Sequence, residues 1–78
     1  MTAQPLLPAS RKALALIRAS GNVIVDADLP TSDLLVLATA AAEWGAALTV
    51  RNAQLRSEET LEAVAAAGRG HVTFDLAE

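Results

Sequence analysis

The chain has 78 residues, of which 53% are hydrophobic and only 3% aromatic, with no cysteine. That length excludes a second domain of ordinary size, and the missing cysteines exclude a disulfide framework. Six basic against nine acidic residues leave a net charge of −3, which argues against nonspecific binding to nucleic acid or to an anionic membrane.

The N-terminal stretch, residues 1–9, carries no basic residue and two prolines, Pro5 and Pro8. It therefore lacks the pattern of a secretory leader and reads as an arm before a single domain over residues 10–78. Its Leu6 and Leu7 are candidates to cover a sheet edge or to reach a neighbouring protein. The longest apolar stretch, Leu34 to Ala42, is too short to span a bilayer. A cytoplasmic protein with no membrane span is the expectation.

Three segments then follow one pattern: a serine, a Leu/Ala-rich run, a glycine, and an alternating apolar–polar stretch. They run from Ser10 to Ala27, Ser32 to Ala53 and Ser57 to Ala77. The spacing of roughly 25 residues lies in the range of α/β solenoid repeats. Helices are expected over about 10–20, 32–44 and 57–67. Ser10, Ser32 and Ser57 are the expected N-caps, and Gly21, Gly45 and Gly68 the expected exits. Asp33, Glu58 and Glu59 put negative charge in first turns, where the helix dipole favours it. The middle helix is apolar nearly all round, as a helix flanked by two others should be.

The strand segments are aligned on the glycines. Val23, Val25, Leu48, Val50, Val72 and Phe74 fall on one face. Ile24, Asp26, Thr49, Arg51, Thr73 and Asp75 fall on the other. A parallel sheet covered on both faces would read as continuous apolar runs; alternation predicts one covered face and one open face. A helix between successive strands demands parallel pairing and right-handed crossovers. The expected fold is therefore a two-layer α/β domain of three helix–strand repeats. Its three-stranded parallel sheet has order 1-2-3, with the helices on one face.

Two families are similar to parts of this chain. The segment Leu48 to Leu55, with Asn52 near the turn, resembles the strand-and-turn unit of a degenerate leucine-rich repeat or a related α/β solenoid; Val23 to Leu29 repeats it loosely. Residues Val23 to Leu76 resemble the later two-thirds of STAS domains, the fold of anti-sigma-factor antagonists. There, Thr31-Ser32-Asp33-Leu34 falls where that family often has a phosphorylatable serine at a helix start. This second resemblance implies a regulatory switch, with Ser32 as the modified residue.

Catalytic and metal chemistry find little to build on. No nucleophile motif is present and the single histidine, His71, sits just before a strand as a turn residue, so neither a Ser-His-Asp site nor a metal cluster is expected. Gly68-Arg69-Gly70 precedes a strand instead of opening a helix, which excludes a phosphate loop. Asp26 and Asp28 at the end of the first strand are best read as a turn, with Asp26 pairing Arg51. No enzyme, cofactor or metal is expected. A small core of three repeats, with both outer strands as open edges and no capping element beyond the first helix and the arm, favours a non-catalytic module that associates with itself or with another protein. Its expected contact residues are the polar row Asp26, Thr49, Arg51, Thr73 and Asp75, together with Leu6, Leu7 and Trp44. The first helix is basic (Arg11, Lys12, Arg18) and the third acidic (Glu58, Glu59, Glu62), a separation suited to association.

Overall fold

The computed structural model describes residues 6–77; the expectations for residues 1–5 of the arm lie outside them. Three helices alternate with three strands: α1 (Pro8–Arg18), β1 (Val23–Asp26), α2 (Thr31–Trp44), β2 (Leu48–Arg51), α3 (Glu58–Gly68) and β3 (Val72–Phe74). A 3-10 turn, Ala53–Leu55, lies between β2 and α3. The sheet has order β1-β2-β3 and both pairings are parallel. The register places Val23 beside Leu48 and Leu48 beside Val72, as the glycine alignment predicts.

The core forms where alternation says it must. Val23, Leu48 and Val50 are buried beneath Ile17, Leu34, Leu37 and Val64 of the helices, with Val25, Val72 and Phe74 packed against them. The opposite set faces outward: Ile24, Arg51 and Thr73 are exposed and Thr49 is half-buried. All three helices thus lie on one face. The middle helix packs on both its neighbours, and its exposed residues are reduced to Ser32, Val36, Thr39, Glu43 and the terminal Trp44.

The helix starts differ from expectation at two of three serines. Leu7 caps α1 in an extended conformation and Pro8 stands at the first helical position. Proline is preorganised for that position and forces its predecessor extended, so the helix begins two residues early. Ser10 is thereby carried inside the helix and is wholly buried. Pro30 likewise occupies the cap of α2, leaving Ser32 exposed in the first turn with no capping bond. Ser57 does cap α3: its Oγ accepts the Thr60 N–H at 3.2 Å. Ser57→Ala should cost about 0.5–2 kcal/mol, read as a lowered denaturant midpoint at unchanged slope. An unchanged midpoint would contradict the capping role.

The exits show a similar split. Gly45 ends α2 in the left-handed region, φ 66°, as a C-terminal glycine should. Ala19 ends α1 and Ser20 takes the positive φ, so Gly21 is not the exit residue there. Gly68 remains inside α3 for a packing reason. A Cβ there would stand 2.2 Å from Val72 Cγ2 and 3.6 Å from Ala38 Cβ. Close approach of α3 to β3 and α2 uses this glycine, and Arg69 takes up the left-handed cap, φ 46°.

Candidate functional site

The polar row is assembled much as the strand parity requires. Asp26 and Arg51 are in register across β1 and β2. Asp75 follows β3, where its N–H donates to the Val50 carbonyl and its own carbonyl accepts the Ala53 N–H. Continuing the register beyond Val50 beside Phe74 brings Asp75 beside Arg51.

The carboxylates do not rely on Arg51, however. Asp26 Oδ2 accepts from Asn52 Nδ2 at 2.9 Å, and Asp26 Oδ1 accepts from the Asp28 N–H at 3.1 Å. Asp75 Oδ1 accepts from the Ala77 N–H at 3.0 Å. Both aspartates therefore close Asx turns at strand ends, the preferred local use of this side chain. The expected Asp26–Arg51 pair is replaced by an Asp26–Asn52 hydrogen bond. Asn52 can reach because it sits in the left-handed region, φ 59°, which asparagine tolerates.

These bonds hold the Asp26 carboxyl below its ordinary pKa. The backbone bond from Asp28 is the main cause, followed by the Asn52 side chain, with the Arg51 charge a smaller aid. A lowered folded-state pKa means that the contribution to stability is present above the unfolded carboxylate value. It is lost as pH falls through the folded one. The melting-temperature gap between the parent and Asp26→Asn should thus narrow as pH drops from about 5 to about 2.5. A gap independent of pH would contradict the assignment.

The other expected contact residues are dispersed. Trp44 ends α2 about half-exposed, at 49%, and its carbonyl accepts Ser20 Oγ–H at 3.3 Å. Leu7 is exposed at 45%, and its N–H donates to Asp33 Oδ2 at 3.2 Å. Leu7 therefore lies against the start of α2 and not along a sheet edge; Leu6 is half-buried next to it. His71 Nδ1–H donates to the Ala46 carbonyl at 3.0 Å, bridging the strand entries in a structural role.

Residue-type reasoning does not reach the groove beside β1. It has a volume of about 380 Å³ and runs between α1 and the outer edge of the strand. Lys12, Ala13 and Leu16 line one wall, Ile24 and Val25 the other, with Asp26 and Asp28 at the strand's C-terminal end. Leu16 is 55% and Ile24 66% exposed. The available hint was Ile24 itself, a large aliphatic residue in a face otherwise made of Thr, Asp and Arg.

Among the described residues, no group of three or more His, Cys, Asp or Glu side chains could hold a metal ion. No described helix is long and apolar enough to cross a membrane. No protein-family model matches the chain, and neither a curated protein nor a solved structure matches it.

Proposed function

We propose that this chain is a non-catalytic docking module whose contact surface is the β1 edge together with the open face of the sheet. The observation that carries the reading is Ile24. It is exposed in the middle of an edge strand, directly beside an apolar groove. A strand edge offers unpaired N–H and C=O groups, and proteins normally blunt or cover such edges. Here the edge residue is aliphatic instead of charged, which favours contact over protection.

The polar row has a supporting part. Thr49 lies beside Ile24 in register and Thr73 beside Thr49, with Arg51 and Asp75 next along the same face, so the apolar patch has a polar margin on its sheet side. Such a polar margin is usual at protein interfaces. The groups most often involved in catalysis are used structurally: His71 bridges strand entries and Asp26 closes a turn.

A photo-cross-linking residue placed at position 24 tests this in cells. The same residue at Val36, exposed on the outer stripe of α2, is the control. Position 24 should give discrete adducts, whose mass separates a second copy from a different protein, while position 36 should not. Equal adduct formation at the two positions, or none at 24, would overturn the reading.

A further inference from the structure

We propose that the β1 groove binds an extended segment of another protein that carries a lysine or arginine beside Asp26. This names the partner class for the docking module above and rests on that reading.

The geometry starts from the crossovers. The helix α2 connects β1 to β2, and α3 connects β2 to β3, each packed over the strands it joins. α1 precedes β1 and packs beside α2, with no fourth strand beneath its outer side among the described residues. The groove under α1 thus has the place and form of a missing strand.

The backbone supports the same occupant. In a parallel pair, alternate residues direct their N–H and C=O groups to one neighbour. The Val23 N–H donates to the Ala47 carbonyl and the Ala27 N–H to the Arg51 carbonyl. Ile24, of opposite parity, therefore directs its N–H and C=O to the outer edge, and Asp26 its N–H, its carbonyl accepting the Leu29 N–H at 3.3 Å. An added strand would bond to these two residues, as in recognition by strand addition. Its alternate side chains would enter the groove below Leu16.

Charge selects the segment. Within the sheet, the residue beside Asp26 is Arg51. On the outer side no strand among the described residues occupies the equivalent position, and the groove lining holds two carboxylates, Asp26 and Asp28, at the strand's C-terminal end against one cation, Lys12, on the α1 wall. The chain's net charge of −3 acts in the same sense. A second copy fits less well. Its free edge, β3, in continuous register would bring Asp75 beside Asp26, and like charges directly opposite are unfavourable. The favoured pattern is that of β2 itself: apolar residues at alternate positions, then a cation beside Asp26.

The test uses two capped synthetic peptides, one with the sequence of residues 47–52 and one with glutamate replacing its arginine. Each is titrated into the isotope-labelled protein and followed by amide NMR. The arginine peptide should shift the Ile24 and Asp26 amides. The glutamate peptide should bind at least about fivefold more weakly at low salt, with the gap closing as salt screens the charges. Asp26→Asn should reduce the same preference; if that variant does not fold, the salt dependence carries the test.

Equal binding of both peptides at β1 would overturn the basic-segment proposal and leave the docking reading intact. Shifts at Val72 and Phe74 on the opposite edge would do the same. So would absence of peptide binding combined with concentration-dependent self-association through β1. Absence of any binding, with a monomer at all concentrations and no adduct at position 24, would overturn both.

Discussion

Val50→Asp is expected to abolish the cooperative unfolding transition. Val50 is fully buried at the centre of β2, on the face covered by the helices. Losing the valine forfeits roughly 1.5–3 kcal/mol of apolar burial. The aspartate adds an unpaired charge, whose effective penalty in protein interiors is several kcal/mol more. A domain of 78 residues has a total stability of only about 4–12 kcal/mol. The two losses approach or exceed it. Circular dichroism against temperature is the measurement, and a parent-like melting transition would show that the strand register is wrong.

The second large effect is expected at Asp33. Its carboxylate is buried, 4% exposed, in the first turn of α2. One oxygen, Oδ2, accepts both Ser10 Oγ–H at 2.8 Å and the Leu7 N–H at 3.2 Å. This contact fixes the start of α1 to the start of α2. Asp33→Ala removes a charge-assisted acceptor and leaves the buried Ser10 hydroxyl unsatisfied, at a cost of about 2–4 kcal/mol. Asp33→Asn keeps an acceptor oxygen and should cost less. Adding Ser10→Ala to Asp33→Ala should return part of the loss, because the orphaned hydroxyl is gone. Chemical denaturation of the parent, the three single variants Ser10→Ala, Asp33→Ala and Asp33→Asn, and the double variant checks this. Strict additivity of Ser10→Ala and Asp33→Ala would mean that the two residues do not cooperate.

The Ser10–Asp33 contact also shows where sequence reading stops. The sheet was legible because parity in a strand is absolute: once Val25 faces the helices, Ile24 and Asp26 cannot. That rule alone placed Asp26, Arg51 and Asp75 in a row. Helix number and order were legible from Leu/Ala runs bounded by Ser and Gly.

The hydrogen-bond partners were not legible, because they join residues distant in the chain. Ser10 finds Asp33, 23 positions away, and Asn52 finds Asp26, 26 positions away. A serine near a helix start is an equally good local cap and tertiary donor. Only the competing prolines, Pro8 and Pro30, decide which role it takes. Gly68 is a further case: its local signature suggests a helix exit, but its use is the contact with Val72. The groove was missed for the same reason. It is a relation between α1 and an unoccupied strand position, and no residue type reports an unoccupied position.

Amide hydrogen exchange along β1, measured on dilute protein, tests the account most directly. An open outer edge predicts an alternation: Val23, Val25 and Ala27 protected by their bonds to β2, and Ile24 and Asp26 exchanging rapidly. If Ile24 and Asp26 are protected as strongly as Val25, that edge is already covered, and docking at β1 is contradicted.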